Sequence, residues 1–251
     1  MKRLKMILPV ALPPEALTNF AAQIPESLRR PDIQIDFAGC RDGAAWLDSD
    51  YETTLADAFV LDAGCRAEEE GYAAVCSFSM SDSGVVPLRS RLTIPVIGSA
   101  QAAFALATQL GQKFSVITMW SPWAQHIRDK ITKYGLGARF ASVRHIDVEP
   151  NTKELLSGKE DIVFAKLEEQ ARRAIEEDGA EVIVLGSTTM YQSHAYLASV
   201  LPCPVVNPGL AAYKACETVL DLGISHSKLT WPSPATTRDD LFASIPPAFG
   251  A

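Results

Sequence analysis

The chain has 251 residues, of which 47% are apolar and 21% are charged, and its formal net charge is −7. This length suits one large or two small domains with an ample core, and the negative charge argues against a nucleic-acid-binding surface. No stretch approaches the ~20 consecutive apolar residues of a membrane span. We therefore expect a globular protein whose partner is a small-molecule substrate, not a nucleic acid or a membrane.

The cysteines and histidines give no sign of a metal site. The five cysteines show neither a CxxC motif nor metal-ligand spacing, and the four histidines lack such spacing as well. An odd number of cysteines without a disulfide framework indicates reduced thiols, so we expect a cytoplasmic location. The chain has no P-loop and no GxGxxG motif, and the sequence predicts no cofactor and no metal.

Predicted strands and helices alternate along the chain. The strands cover residues 6–11, 33–37, 73–78, 94–97, 114–119, 141–146, 181–185 and 204–207. The helices cover residues 14–28, 53–70, 101–110, 122–134, 162–177, 193–200 and 211–222. This alternation indicates an α/β fold with a mostly parallel sheet in each half. The tail from Lys228 contains four prolines and is predicted to be irregular chain packed on the surface.

The two halves resemble each other at an offset of 108 residues. Ser187 then corresponds to Ser79 and Lys113 corresponds to Lys5, while the strand at 204–207 matches its counterpart at an offset of 109. Few residues are identical, but one offset aligns strand, helix and turn signals in both halves. We infer two copies of one α/β unit; the alternative is a chance similarity between two unrelated βα units.

Small and polar residues follow the third strand of each copy, where open α/β sheets bind their ligands. Backbone N–H groups at such strand ends form a cradle for a carboxylate or another oxyanion. Small hydroxyl residues also cap helices without any chemistry, and this is the alternative interpretation. The candidate residues are Ser79, Met80, Ser81 and Asp82 in the first copy and Ser187, Thr188 and Thr189 in the second.

If the copies pack about a pseudo-twofold axis, Ser79 and Ser187 face each other across a cleft. Thr118, at the end of the second copy's first strand, should reach the same cleft. Its counterpart at the offset of 108 is Val10, which is apolar. The site is therefore not expected to be symmetric.

Few side chains near these serines could act as a base. Cys76 precedes Ser79 by three residues inside a predicted strand, so we expect it in the core. His194, seven residues after Ser187, is the leading candidate base, although the solvent face of a helix is its more ordinary place. Asp82 could act as a base or orient its loop, and the loop-orienting role is favoured.

Four segments carry a family resemblance: GYAAVCSFSMSDSGVVPLRSRLTIPVIG at 71–98, AAFALATQLGQKFSVITM at 102–119, EEDGAEVIVLGSTTM at 176–190 and PCPVVNP at 202–208. They resemble the aspartate/glutamate/hydantoin racemase superfamily, and within it the hydantoin and allantoin racemase branch. The resemblance implies two similar parallel-sheet α/β lobes about a pseudo-twofold axis, with the active-site cleft between them. The lobes would be residues 1–98 with 208–251, and residues 99–207. A homo-oligomer is common for such folds and is expected here.

The racemases of this family use two cysteines, one to remove the α-proton and one to return a proton to the opposite face. Their first motif resembles Cys-Phe-Gly-Asp-Pro-Gly, and Asp82 and Gly84 fix its register so that the cysteine position falls on Ser79. Their second motif resembles Leu-Gly-Cys-Ala-Gly-Met, which places the other cysteine position at Ser187. The family's amino-terminal Asn-Pro-Asn-Thr is replaced by LPVA at residues 8–11. The resemblance therefore implies the architecture but not the two-thiol mechanism.

A serine hydroxyl is a weaker acid than a thiol by several pKa units. An unassisted serine is a poor base towards a carbon-bound proton, but it can act as an activated nucleophile or donate a hydrogen bond to an oxyanion. We predict a cofactor-independent, racemase-like isomerase acting on a small carboxylate, amino-acid derivative or cyclic ureide, with non-cysteine chemistry at Ser79 and Ser187. The alternatives are a decarboxylase or other lyase, a hydrolase, or a non-catalytic ligand-binding protein on the same scaffold.

Overall fold

The computed structural model describes residues 1–149 and 160–249. The chain divides into two compact units, one formed by Met1–Ser99 with Ala212–Ala251 and the other by Ala100–Ala211. Each unit contains a four-stranded parallel sheet with helices between its strands. This confirms the α/β class and the two similar parallel-sheet units; the pseudo-twofold relation and the cleft stay predictions.

The sheet of the first unit has the strand order β2-β1-β3-β4. Its strands are β1 (Lys2–Ile7), β2 (Ile33–Ala38), β3 (Ala74–Ser77) and β4 (Val96–Gly98). Every residue of β3 is buried, as expected for a central strand that is covered by helices on both faces.

The sheet of the second unit has the equivalent order β6-β5-β7-β8. Its strands are β5 (Phe114–Thr118), β6 (Phe140–His145), β7 (Val182–Leu185) and β8 (Val205–Val206). All residues of the central strands β5 and β7 are buried. The shared strand order supports the inference of two copies of one unit.

The register of the sheets tests the sequence offsets. The third strands β3 and β7 correspond at the predicted offset of 108, and the fourth strands β4 and β8 at 109. The first strands do not follow this rule, because Leu4 lies opposite Ala74 whereas Phe114 lies opposite Val182. The offset between β1 and β5 is therefore 110 residues (114 − 4) against 108 between their partners (182 − 74).

This register corrects two equivalences. Lys113 corresponds to Arg3 and not to Lys5, since the carbonyls of Lys113 and Arg3 accept the matching N–H bonds from the third strands. Thr118 then corresponds to Leu8 instead of Val10. Leu8 is apolar as well, so the predicted difference between the two strand ends remains.

The helices are α1 (Pro14–Ala21), α2 (Asp50–Gly64), α3 (Val85–Arg91), α4 (Ser99–Leu110), α5 (Ser121–Lys133), α6 (Glu160–Glu176), α7 (Ser193–Val200) and α8 (Pro208–Leu222). Single 3₁₀ turns lie at Glu26–Leu28, Gly137–Arg139 and Thr188–Met190. The Ser49 hydroxyl caps α2 by accepting the N–H of Glu52 at 3.3 Å. A proline in the first turn similarly favours the start of α5.

Three helix predictions need correction. Helix α1 ends at Ala21 instead of residue 28, because the chain turns before Pro25. Helix α2 spans Asp50–Gly64, not residues 53–70. Helix α3, directly after the Ser79 segment, was not predicted at all.

Each unit has its own apolar core beneath its helices. In the first unit the core includes Ile7, Val60, Val75, Leu88 and Val96. In the second it includes Ile117, Leu167, Ile183, Leu185 and Leu197. Burial of each such side chain contributes roughly 1.5–3 kcal/mol before the entropy cost of folding.

The chain after α8 is irregular, as predicted, and it packs on the first unit. Phe242 and Ile245 contact the core cluster of that unit, and the Phe59 and Phe242 ring centroids are 5.3 Å apart. The last two residues of the predicted tail, 250 and 251, lie outside the described residues. Within the described chain, no helix is long and apolar enough to cross a membrane.

Candidate active site

Ser79 lies two residues beyond the end of β3, in the loop that leads into α3. Its Oγ accepts a hydrogen bond from the Ser81 N–H at 3.3 Å and another from the Ser81 hydroxyl at 3.0 Å. The Ser79 carbonyl accepts the N–H of Asp82 at 3.1 Å, which closes a turn. Ser79 is half-buried, and its own hydroxyl proton is not used in either of these bonds.

Ser187 occupies the corresponding place, two residues beyond the end of β7. Its Oγ accepts the Thr189 N–H at 3.2 Å and lies 2.8 Å from the Thr189 hydroxyl. The Ser187 carbonyl accepts the N–H of Met190 at 3.2 Å. The two loops therefore share one hydrogen-bonding pattern, in which the serine hydroxyl is held by the N–H and the hydroxyl of the second residue after it.

This pattern limits what the two hydroxyls can do. Ser79 Oγ accepts both of its bonds, which leaves the Ser79 proton to offer to a ligand. Ser187 Oγ accepts the Thr189 N–H, and in its hydroxyl pair with Thr189 either oxygen can be the donor. Among the described residues, no imidazole or carboxylate forms a hydrogen bond to Ser79 Oγ or Ser187 Oγ. The arrangement therefore suits hydrogen-bond donation to an anionic oxygen better than removal of a proton.

The hydroxyl contacts of the first loop continue beyond Ser81. The Ser81 Oγ lies 2.8 Å from the Ser83 Oγ, so that three serine hydroxyls form a continuous chain from Ser79 inwards. Ser83 is fully buried. In the second loop the Ser187 hydroxyl contacts both the hydroxyl and the N–H of Thr189.

The backbone N–H groups of the first loop were predicted to form a cradle for an oxyanion, and most of them already donate hydrogen bonds within the protein. The N–H groups of Ser81, Asp82 and Val85 bond within the loop. The N–H of Gly84 donates to the Asp57 carboxylate of α2 at 2.8 Å. In the first loop the N–H groups of Ser79, Met80 and Ser83 form no hydrogen bond to a described residue, and in the second loop the N–H of Ser187 forms none.

Met80 and Asp82 are buried within their loop. Met80 is only 6% exposed as a whole residue. Asp82 adopts a left-handed backbone with φ of 48°. Its carboxylate packs against the Cα of Gly98, where an added Cβ would lie 2.5 Å from Asp82 Cγ. This placement supports the loop-orienting role of Asp82 over the role of a base.

Thr118, the last residue of β5, lies beside the turn that leads to Ser187. A Cβ on Gly186 would lie 2.6 Å from the Thr118 Cβ and 2.9 Å from its Oγ1, so only glycine fits there without a shift. Thr118 is fully buried, and its Oγ1 has no hydrogen-bond partner among the described residues. An unpaired buried hydroxyl is costly unless something else satisfies it, which keeps Thr118 among the candidate ligand contacts. In the same loop, Thr188 is buried and Thr189 is half-buried.

Two histidines, His194 and His145, lie in places that the sequence analysis did not expect. His194 is half-buried, and its Nε2 lies 3.1 Å from the carbonyl oxygen of Val205, so its ring is held against β8 and not on a solvent face. Sequence reasoning passed over His145, which ends β6 directly opposite Thr118 in the sheet. Its Nδ1 lies 3.3 Å from the Asp147 carboxylate. The signal for His145 was its position next to the carboxyl end of the predicted strand 141–146.

Four of the five cysteines are buried and the fifth, Cys203, is half-buried. Cys76 and Cys216 are fully buried, which confirms that Cys76 belongs to the core. Burial, with the neighbouring Cys76 thiol, raises the pKa of Cys216, and burial raises the pKa of Cys40 to about 12. These two thiols therefore stay protonated at neutral pH and are poor nucleophiles. In the described part of the chain, no cluster of side chains has the composition of a metal site.

The class of this protein follows from its two α/β units. Both have a parallel sheet with the same strand order, and both carry a loop with hydroxyl side chains after the third strand. Comparison with known proteins identifies the family. The Asp/Glu/hydantoin racemase family model matches residues 15–216. A hydantoin racemase from Pseudomonas sp. (strain NS671) is 31% identical over 219 residues, which is 85% of this chain and 85% of that protein. The chain belongs to the Asp/Glu/hydantoin racemase family.

Solved structures agree with this assignment. The allantoin racemase from Klebsiella pneumoniae superposes with a TM-score of 0.85 at 26% identity, over 94% of this chain and 95% of that one. The allantoin racemase from Pseudomonas fluorescens has a TM-score of 0.85 at 27% identity, over 94% and 98%. These relatives confirm the resemblance to the hydantoin and allantoin racemase branch and support an enzyme of the isomerase class.

Proposed function

We propose that this protein is a cofactor-independent isomerase that moves a proton at the carbon next to a carbonyl group of its substrate. The substrate class is a small carboxylate, an amino-acid derivative or a cyclic ureide. The names of the relatives make 5-substituted hydantoins and allantoin the first compounds to test. The observation that carries the proposal is the shared hydrogen-bonding pattern around Ser79 and Ser187 at equivalent strand ends.

In this proposal the serines contact the substrate and stabilise negative charge. Solvent water would accept the α-proton and later return a proton to the carbon, because no described side chain is placed as a base at either serine. Removal of the α-proton places charge on the neighbouring carbonyl oxygen, and preoriented donors stabilise that oxyanion. Ser79 and Ser187 would donate their hydroxyl protons, and the N–H of Met80 would add a further donor. Ser81, Thr188 and Thr189 would hold the two loops, and the unpaired hydroxyl of Thr118 would contact the substrate.

A lyase reaction is the second candidate, and it is favoured because no described side chain lies at either serine as a base. In decarboxylation the bond between the α-carbon and the carboxyl carbon breaks, CO2 leaves and the electron pair stays on the α-carbon as an enolate. Solvent then supplies the proton, so that no side chain has to remove one from carbon. The same hydroxyl and N–H donors would stabilise the enolate. Hydrolysis would need a base to activate a serine, and no such contact supports it.

Location and assembly remain proposals as well. All five cysteines are free thiols, which is compatible with the reducing cytoplasm. We propose a cytoplasmic enzyme that works as a homo-oligomer, for which analytical ultracentrifugation is the direct test.

Proton NMR in D2O distinguishes the candidate reactions. The panel contains 5-substituted hydantoins, allantoin, aspartate, glutamate and arylmalonates. We expect loss of the α-proton signal of at least one hydantoin or ureide, with no new product peaks. New product peaks from an arylmalonate would show a lyase, and opened rings or free amines would show a hydrolase. A ligand-induced rise in melting temperature without any change in the spectra would show binding without turnover. That result would refute the proposed enzymatic activity and favour a binding protein.

A further inference from the structure

Helix α3 carries the Ser79 loop at its start and depends on other parts of the chain for its stability. It has only seven residues, and its N-cap Gly84 offers no side chain to cap it. Helices this short are marginal on their own, because nucleation costs more than a few hydrogen bonds return. The position of the Ser79 loop is thus set by whatever holds α3 in place.

The irregular tail after α8 supplies hydrogen bonds to the carboxyl end of α3. Lys228 Nζ donates to the carbonyl of Arg89 at 2.7 Å and to the carbonyl of Ser90 at 2.8 Å. His226 Nε2 lies 3.0 Å from the carbonyl of Leu92, just beyond the helix. The last carbonyls of a helix have no partners within it, and a cation at this end also opposes the helix dipole.

Two arginine side chains of α3 also contact the tail and the sheet. The Arg89 guanidinium lies 4.7 Å from the centre of the Trp231 ring, and its Nε donates to the Val96 carbonyl of β4 at 3.0 Å. Arg91 bonds to both carboxylate oxygens of Asp239 through its Nε, at 3.1 and 3.0 Å. Arg89 is 7% exposed, so its charge is enclosed between the sheet and the tail.

We propose that the tail segment 225–239 is a strap that positions the Ser79 loop through α3, with Lys228 and Trp231 as its positioning residues. Neither residue belongs to the serine loops. The contacts of the strap are with α3, which follows the Ser79 loop. The end of α7, the helix after the Ser187 loop, is bound instead by Arg172 of α6, whose Nη2 donates to the Val200 carbonyl at 2.8 Å. We therefore expect the strap to act on the Ser79 loop and not on the Ser187 loop. The predicted effect of the strap on turnover rests on the proposed function. Its predicted effect on the position of the Ser79 loop does not.

Hydrogen exchange of backbone amides tests the strap directly. Lys228→Met keeps the aliphatic stem and removes the donors, and we expect amides in segment 79–92 to exchange about tenfold faster. The matched control is Lys214→Met, which also removes a lysine bonded to a carbonyl of the same unit, that of Leu28 at 2.8 Å. The control should leave segment 79–92 within about twofold of the wild type.

The Ser187 loop serves as an internal reference in the same protein. Lys228→Arg should restore protection of segment 79–92, because a guanidinium can also donate to the two carbonyls.

Unchanged exchange of segment 79–92 in Lys228→Met would refute the claim that the strap positions the Ser79 loop, as would equal acceleration of both serine loops. If Lys228→Met does not fold, Trp231→Leu is measured in the same way. For an active wild type, we expect a lower kcat in Lys228→Met with KM within about twofold. A wild type without turnover would refute the proposed function and leave the exchange result to decide on the strap.

Discussion

Replacement of Ser79 and Ser187 together by cysteine is expected to raise the rate of α-proton exchange by roughly 100-fold or more. A thiol has a pKa near 8.5 and becomes a thiolate far more readily than a serine hydroxyl becomes an alkoxide. Both side chains are half-buried at strand ends and carry the same pattern of contacts, so cysteine fits without new backbone conformations. The rate is measured as loss of the α-proton NMR signal of a hydantoin in D2O.

A cysteine elsewhere should not have this effect. Ser199→Cys is the matched control, since Ser199 is exposed on α7 and bonds only to the carbonyl of Tyr196. It should leave the exchange rate within about twofold of the wild type. A doubly substituted protein that folds and binds the hydantoin, yet exchanges no faster than the wild type, would refute the assignment of the two serines to the cysteine positions.

Gly84→Ala is expected to destabilise the protein by about 2–4 kcal/mol, the largest loss we predict for a single methyl group. Gly84 has a φ of 69°, and a Cβ at this position would lie 2.4 Å from Val60 Cγ1 and 2.8 Å from Val60 Cβ. Val60 is fully buried in the core of the first unit, so it has little room to move aside. The free energy of unfolding is measured by denaturant titration.

Gly179→Ala is the control for Gly84→Ala. It separates the cost of the clash with Val60 from the cost of a left-handed backbone. Gly179 has a similar φ of 74°, but a Cβ there meets nothing within 4 Å. Only the cost of a left-handed alanine remains, about 1 kcal/mol. Equal losses in the two variants would contradict the packing of Val60 against Gly84, and with it the placement of the Ser79 loop against α2.

The sequence was sufficient for the class of fold and for the two loops because both depend on local patterns. The predicted strands that end at Phe78 and Leu185 lead to Ser79 and Ser187, and they marked two buried strands of the sheets. The equivalence of the first strands was wrong by two residues for a physical reason. Side chains of a strand alternate with a period of two, so a shift of two residues preserves every inward and outward face. Only the register with the neighbouring strand shows the shift.

Other features depend on contacts between distant residues and left no local signal. The sequence of α3 holds two adjacent valines and Pro87, a composition that disfavours a helix unless the proline falls in the first turn. The tail that supports α3 follows it by well over a hundred residues, as the bond from Lys228 to Arg89 shows. His194 was placed on a solvent face because the carbonyl of Val205, its partner, lies in another strand.

The measurement that tests the central claim most directly is the rate of α-proton loss in D2O for the wild type, Ser79→Ala and Ser187→Ala. The substrate is the hydantoin or ureide on which the wild type is fastest. We predict a fall of at least about 30-fold in each variant, because each loses a donor to the developing oxyanion. Substrate binding, followed by the shift in melting temperature, should be largely retained. Two variants as fast as the wild type would contradict the claim that these serines carry the chemistry.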